Sequence, residues 1–403
     1  MSKLDELINE LCPDGVEFKT LQEISTDIFR GSGIKRDEVT PEGIPCVRYG
    51  EIYTTYGIWF DECVSHTVLE KVKSPKYFEH GDILFVITGE SVEDIAKSTA
   101  YIGHEKCLAG GDIVVLKHNQ NPKYLSYALA TTDARKQKSA GKVKSKVVHS
   151  SVPAIQQIRI PVPPLAVQEE IVRILDTFTT LTAELQAELQ ARKKQYEYYR
   201  KELLGKCSNY MSLKEIAISS CSGGTPKKGV AEFYENGTIP WLRTGEVLYN
   251  EIYSTECLIT EKAIEKTAAK WIPENCVIVA ISGATAGRCA INKIPLTTNQ
   301  HCLNIQIDPK LALYRYVFYC VCNQEDELLE KKEGARGDLN SSRILSLKIP
   351  VPSIEEQKRI IDILNRFDTL CNDISAGLPA EIEARQRQYE YYRDKLLTFK
   401  ELA

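Results

Sequence analysis

The sequence predicts an α+β protein: two tandem domains, each mainly β with short helices, joined by two long helices that form an antiparallel intramolecular coiled coil in a pseudo-two-fold repeat. Three observations carry this expectation. First, Ile160-Pro161-Val162-Pro163, followed by a helical pattern ending Gln195-Tyr196-Glu197-Tyr198-Tyr199-Arg200, recurs as Ile349-Pro350-Val351-Pro352 and Gln388-Tyr389-Glu390-Tyr391-Tyr392-Arg393. Repeats of roughly 190 residues are too long for a solenoid and mean two copies of a whole domain with its helix. Second, each copy carries a heptad seam, unbroken in the first and interrupted by one stutter in the second. Third, short β-branched runs bounded by turn residues appear in the same order in both copies.

Length and composition agree. A chain of 403 residues is long enough for two to three domains, and the repeat sets the number of globular parts at two. The expected boundaries are 1–157 and 207–346 for the domains, and 158–206 and 347–403 for the helical spacers. No window holds 18 apolar residues in a row and Met1–Asn9 is charged, so neither a membrane span nor a signal peptide is expected and the chain reads as cytoplasmic. The 13 cysteines are scattered with no Cys-x-x-Cys, which reads as reduced thiols and no zinc site. A net charge of -4 excludes a generally basic coat but hides a local one. Arg135, Lys136, Lys138, Lys142, Lys144 and Lys146 form a basic run without an acidic residue, either a solvated loop or an electrostatic footprint.

The first helix begins after Pro161, Pro163 and Pro164, which cannot lie inside a helix, and ends at Gly205. Its seam runs Ile171, Leu175, Phe178, Thr182, Leu185, Leu189, Arg192, Tyr196, Tyr199 and Leu203, alternating spacings of four and three. About 39 residues at 1.5 Å each give a rod on the order of 58 Å. The second seam runs Ile360, Leu364, Phe367, Cys371, Ile374, Leu378, Ile382, Arg385, Tyr389, Tyr392 and Leu396, with one stutter before Ile382. Gly377 and Pro379 sit there, predicting a kink or break. Ile174, Leu181, Ile363 and Leu370 widen the stripe beyond a two-stranded seam, leaving surface for a further partner or for each helix's own domain. Tyr196, Tyr199, Tyr389 and Tyr392 read most simply as helix packing.

Within the domains, Leu21-Gln22-Glu23-Ile24 matches Leu213-Lys214-Glu215-Ile216, and Ile44 to Glu51 matches Ile239 to Glu246. Gly81 to Gly89 matches Asn275 to Gly283, and Ile113 to Leu116 and Leu303 to Ile307 add a strand to each copy. The loops between them diverge. Phe29 to Arg36 and Cys221 to Lys228 are both glycine-rich and basic, suited to close approach to phosphate. The basic run of the first copy is matched by position with Lys331 to Arg343 of the second. Divergent polar loops on one scaffold are what two domains reading different base edges need, although loop drift after duplication gives the same picture.

Catalytic patterns are not found. Gly-x-x-x-x-Gly-Lys-Ser/Thr is missing, Arg30-Gly31-Ser32-Gly33 lacks a third glycine, and no Asn/Asp-Pro-Pro-Tyr/Phe occurs. Pro13-Asp14 with Glu17 and Lys19 reads as a turn entering a strand, not a nuclease carboxylate cluster.

The doubled Ile-Pro-Val-Pro, Gln168 and Gln357 after it, Arg173 to Phe178 beside Arg359 to Leu364, and the doubled Gln-Tyr-Glu-Tyr-Tyr-Arg together resemble the specificity subunit of type I restriction–modification systems. The resemblance covers essentially the whole chain. It implies two target-recognition domains on double-stranded DNA, helical regions pairing antiparallel as a spacer, two methylase subunits and, in the complete complex, motor-nuclease subunits. S-adenosylmethionine, ATP and Mg then belong to those partners, with no cofactor on this chain and no catalysis by it. Thr182-Ala183-Glu184-Leu185 and Gln186-Ala187-Glu188-Leu189 resemble the family's length-setting repeat. The DNA contacts expected in the first domain are Arg30, Ser32, Lys35, Arg36, Arg48, Thr88, Lys138, Lys142, Lys144 and Lys146. In the second they are Thr225, Lys227, Lys228, Arg243, Ser282, Arg288, Asn299, Gln300, Arg336, Asn340 and Arg343. Arg48 and Arg243 stand beside matching Gly-Glu pairs and can equally hold the fold. The rival readings are a stand-alone two-headed DNA-binding regulator and a structural adaptor whose domains bind proteins.

Overall fold

The apolar runs Ile83–Val86 and Val277–Ala280 are buried along their whole length, and each organises a sheet by pairing on both edges. The computed structural model describes residues 2–142, 147–205, 207–330, 339–373 and 375–402. The chain divides into two compact units, Met1–Gln186 with Glu381–Ala403, and Ala187–Ala380. Each unit therefore contains one domain together with part of each long helix.

In the first unit a five-stranded sheet runs Ser25–Arg30, Ile113–His118, Ile83–Val86, Ser98–Tyr101, Trp59–Phe60. Its last pair is parallel and the rest antiparallel. A second five-stranded sheet runs Val39–Thr40, Ser65–Thr67, Ile44–Val47, Cys107–Ala109, Tyr77–Phe78, with Ile44–Val47 and Cys107–Ala109 parallel. The second unit repeats this order. Ala217–Ser222, Cys302–Ile307, Val277–Ala280, Cys289–Asn292 and Glu251–Ile252 form five strands with the parallel pair again last. Cys257–Ile259, Ile239–Leu242, Leu296–Thr298 and Trp271–Ile272 form four, again with a parallel central pair. The mixed topology, parallel pairs included, is thus shared by two sequences that differ at most positions.

The repeated Ile-Pro starts each helical spacer as a strand. Arg159–Pro161 pairs with Phe18–Thr20, and Lys348–Pro350 with Tyr210–Ser212. Thr20 with Glu23, and Ser212 with Glu215, make reciprocal capping boxes that start the next short helix. The glutamine after each proline pair is fully buried. Gln168 Oε1 accepts from the Asn121 N–H at 3.0 Å while its Nε2 donates to the Pro163 carbonyl at 2.8 Å. Gln357 does the same with the Leu313 N–H at 2.8 Å and the Pro352 carbonyl at 2.9 Å.

The first long helix, Leu165–Gly205, is continuous, whereas the second is two helices, Ile354–Asn372 and Leu378–Leu396. The break falls where Gly377 and Pro379 predict it. A Cβ on Gly377 would lie 2.3 Å from the Thr369 carbonyl oxygen, so the chain turns there only without a side chain. Phe178 stacks on Tyr392 at 5.5 Å in the first unit, and in the second Tyr196 and Tyr199 stack on Phe367 at 5.9 and 5.7 Å. Tyr389, buried, lies 6.3 Å from Tyr127.

Candidate nucleic-acid interface

At one end of each pair of sheets, loops are drawn together by a shared set of backbone hydrogen bonds. In the first unit Ser32 N–H donates to Ala109, Gly110 to Val47, Ile87 to Asp112 and Ser150 to Ile87, all at 2.8 to 3.0 Å. In the second unit Gly224 N–H donates to Thr298, Asn299 to Leu242, Ile281 to His301 and Leu339 to Ile281, at 2.7 to 2.9 Å. The frame leaves no room for a side chain at its tightest crossing. A Cβ on Gly31 would sit 2.3 Å from the Gly110 carbonyl oxygen, and one on Gly223 1.9 Å from that of Thr298. The basic pairs Lys35-Arg36 and Lys227-Lys228 follow the glycine crossings by a few residues in sequence.

The side chains on this frame differ. In the first unit the crossing segment is Gly110-Gly111-Asp112, and the Arg30 guanidinium bonds the Gly111 carbonyl and, at 2.7 Å, the Asp112 carboxylate. Thr88 Oγ1 lies 3.3 Å from His149 Nδ1. In the second unit the same segment is Asn299-Gln300-His301, where Thr225 donates to Gln300 Oε1 and Gln300 Nε2 lies 3.0 Å from His301 Nε2. Lys35, Arg36, Thr225, Lys227, Lys228 and Gln300 are exposed, and Thr88, Lys142, Ser282, Arg288 and Arg343 are half-buried. Asn340 is exposed and caps Ser341–Leu345, its Oδ1 accepting from Ser342 N–H at 2.9 Å. The Arg288 guanidinium lies 5.7 Å over the Tyr249 ring. Lys144, Lys146 and Arg336 lie outside the described residues.

Several sequence expectations need correction. Lys138 is not a surface cation: it is 7% exposed, its ammonium donating to the Leu129 carbonyl at 2.9 Å and to Ser98 Oγ at 3.0 Å. Burial pushes its pKa down to about 7. Ser32 and Asn299 are buried too; Ser32 Oγ bonds the Ser74 carbonyl, and Asn299 Oδ1 accepts from His301 N–H at 3.0 Å. Arg48 is held by Glu51 at 3.1 Å, itself buried and bonded by Ser65. Arg243 is held between Glu246 and Glu256. Both arginines are ion-paired within their own domains, Arg48 to the buried Glu51 and Arg243 to the exposed Glu256. The basic run is not one loop either: Arg135, Lys136 and Lys138 lie on the helix Thr132–Ser139. Arg135 and Lys138 line a cleft against Gln386, Tyr389 and Arg393, apart from the glycine crossing. The helix that follows the same position in the second unit, Glu325–Glu330, is acidic, and most of Lys331 to Arg343 lies outside the described residues. Asp112, His149 and His301 were not anticipated, because isolated polar residues after a strand carry no periodic signal.

A family model described as type I restriction modification DNA specificity domain matches residues 13–192 and again residues 207–384. The chain belongs to the type I restriction–modification DNA specificity family. The specificity subunit of the EcoR124I/EcoR124II type I restriction enzyme of Escherichia coli is 42% identical over 258 residues, 60% of this chain and 64% of that one. A putative type I specificity subunit of Haemophilus influenzae, S.HindORF215P, is 32% identical over 64% of this chain and 68% of its own length. The chain thus spans under two thirds of the length of the Escherichia coli relative. Among solved structures, a chain from a study of complex assembly and conformational transition of the type I R-M system has a TM-score of 0.65 at 15% identity, covering 96% of this chain and 98% of that one. The type I restriction–modification S subunit of M. genitalium follows at 0.54 and 13%, covering 95% and 96%. At these identities the structures establish the shared fold. The two segments matched by the family model correspond to the two sequence repeats.

Proposed function

We propose that this specificity subunit reads a bipartite, asymmetric DNA site, one half-site per recognition domain, and positions two methylase subunits and, in the complete complex, motor-nuclease subunits. The observation that carries this is the pair of glycine crossings with one backbone frame and two side-chain sets, Gly-Gly-Asp against Asn-Gln-His. A frame held by backbone bonds fixes position on the duplex, while the differing polar side chains distinguish bases. Exposed Lys35, Arg36, Lys227 and Lys228 supply phosphate contacts, and Thr225 and Gln300 with His301 supply base contacts in the second domain. We assign residues 1–157 and 207–346 to the recognition domains, and 158–206 and 347–403 to the spacers.

In this reading the long helices pair antiparallel. The stacking of Phe178 on Tyr392 supports it, since an early residue of one seam meets a late residue of the other; Tyr196 and Tyr199 on Phe367 give the reverse combination. Inserting a further Thr-Ala-Glu-Leu unit after Leu185 lengthens the first helix by about 6 Å, and is expected to lengthen the unread spacer with both half-sites unchanged. The deciding experiment is single-molecule methylation sequencing of DNA from cells expressing the chain with its neighbouring methylase, against the methylase alone. A bipartite motif with modified adenine, present only with this chain, is the expected result. No new motif from two soluble proteins overturns the reading, and steep salt-dependent DNA binding by the chain without methylase association turns it into the stand-alone regulator.

A further inference from the structure

Arg135 and Lys138 stand three apart on the helix Thr132–Ser139, and Tyr389 and Arg393 four apart on Leu378–Leu396, spacings that put each pair on one face. With Lys97, which precedes the strand Ser98–Tyr101, they line a cleft of about 390 Å³ inside the first unit, a volume suited to a small organic molecule. Charge in this cleft is unbalanced. Among the described residues Lys97, Arg135 and Lys138 form no ion pair: the Lys97 ammonium donates to the Tyr53 carbonyl at 3.1 Å, and that of Lys138 to the Leu129 carbonyl and Ser98 Oγ. Burial, with Arg135 alongside, lowers the pKa of both lysines, that of Lys97 against the pull of Asp94 and that of Lys138 to about 7. Glu93 and Asp94 also line the cleft, but both are exposed, and Arg393 is already taken by Asp394 at 2.7 Å. The Tyr389 hydroxyl is a second unmet group: the residue is 7% exposed and its oxygen has no hydrogen-bond partner among the described residues.

The repeat supplies a contrast. Tyr196 and Arg200 correspond to Tyr389 and Arg393, and they line a cleft of the second unit together with Glu251, Glu325, Asp368 and Asp373. The other cation lining it, Arg315, is bonded to Glu251 at 2.6 Å. One cleft is acidic and the other holds unpaired cations, so the two do not take the same ligand. We propose that the cleft of the first unit binds one small phosphate monoester per chain, its oxygens among Lys97, Arg135 and Lys138 and accepting from the Tyr389 hydroxyl, its apolar part against Ile58, Ile95 and Leu129. Three cations fit a dianion with several acceptor oxygens, where a carboxylate would need only one of them. Bound there, the ligand joins the first recognition domain to helix segments of its own unit. The site uses neither the glycine crossing nor a partner subunit, so it stands apart from the function proposed above.

The test is isothermal titration of the full chain, in chloride buffer, with inorganic phosphate and with adenosine monophosphate. One site per chain is expected for each, the nucleotide binding about ten-fold tighter because its base and sugar cover the apolar wall. Arg135→Gln, at an exposed position, weakens both by about ten-fold or more. Tyr389→Phe keeps the ring and removes only the hydroxyl; it loses about ten-fold in affinity while its Tm without phosphate stays equal or rises, because an unpartnered buried group is gone. A tyrosine that only packs would leave affinity unchanged. Lys136→Ala, on the same helix but outside the cleft, binds both probes as wild type does. No binding of either probe, a second equal site per chain, or the same loss in Lys136→Ala overturns the site. Phosphate binding that survives Arg135→Gln while the salt dependence of DNA binding falls also overturns it, and assigns the cleft to the duplex backbone.

Discussion

The two glycine crossings are the same structure made with different chemistry. Around Gly31 the polar groups are paired with each other: Arg30 bonds the Gly111 carbonyl and Asp112, and the crossing segment offers two glycines. Around Gly223 the corresponding segment offers Gln300, exposed and bonded to Thr225, with His301 next to it. What is shared is backbone: four hydrogen bonds between equivalent strand ends and a carbonyl oxygen too close for any Cβ. Position is therefore encoded by glycine and main chain, which tolerate drift around them, and discrimination by side chains that the frame does not need. The proposed reading of two unlike half-sites requires this separation.

The comparison breaks most completely at the glycines. Gly31→Ala and Gly223→Ala each force a displacement of main chain, not of a side-chain tip, and are expected to cost about 3 kcal/mol or more by chemical denaturation. Each should abolish reading of its own half-site only. Gly33→Ala, two residues from the first crossing, meets nothing within 4 Å. It should stay within about 1 kcal/mol of wild type. Equal effects at Gly31 and Gly33 would show that the close approach is not what the glycine serves.

The buried glutamines test whether the frame is equally strict in both units. Gln168→Leu leaves the Asn121 N–H and Pro163 carbonyl unpaired, and Gln357→Leu does the same to Leu313 and Pro352. Each should cost about 2 to 3 kcal/mol. Matching losses support one frame used twice; a loss confined to one unit would mean that the second glutamine is a relic.

The repeat, the helix seams and the central strands were legible because each is periodic or flanked by proline and glycine. The break before Leu378 was legible for the same reason, since Gly377 and Pro379 mark it locally. The site was legible only in outline. Gly31-to-Arg36 and Thr225-to-Lys228 signal a phosphate loop by composition, and the Gly-Glu beside Arg48 marks its pairing with Glu51 three residues on, but nothing local shows that Lys138 turns inward. That outcome depends on a partner distant in sequence and on helix phase: Lys138 meets Ser98, 40 residues away, and it does so because Arg135 to Lys138 form a helix and not a loop. A charge run read as a footprint loses its meaning once the residues alternate faces.

Lys138 also separates the units by pH, because the acidic helix Glu325–Glu330 has no lysine to bury. Burial lowers the folded-state pKa to about 7, against roughly 10.4 in an unfolded chain. Between these values the unfolded state binds the extra proton, so stability rises as pH rises from about 7 toward 10 and is flat below 7. Lys138→Met should remove this slope, measured as denaturation midpoints at pH 7 and pH 9.5. Its effect at pH 7 is expected to be small, about 1 kcal/mol, since the hydrogen bonds to Leu129 and Ser98 are lost as the desolvation cost is relieved. A slope unchanged in the variant would assign it to other groups.

The smallest effect sharpens the comparison most. Lys35 and Arg36 in one unit and Lys227 and Lys228 in the other are exposed in equivalent loops, so each pair should act on phosphate and not on base identity. Replacing one lysine, as Lys35→Ala or Lys227→Ala, should lower the slope of log K against log salt by about 0.9, equally in either unit and for any sequence. Gln300→Ala should leave that slope alone and relax base preference by about 1 to 3 kcal/mol at one position of one half-site. Fluorescence anisotropy on duplexes varied at each half-site, from about 50 to 200 mM salt, separates the two behaviours. If Lys227→Ala instead changes which base is preferred, the loops divide labour differently from the crossing segments, and the basic loop of the second domain is itself a reader.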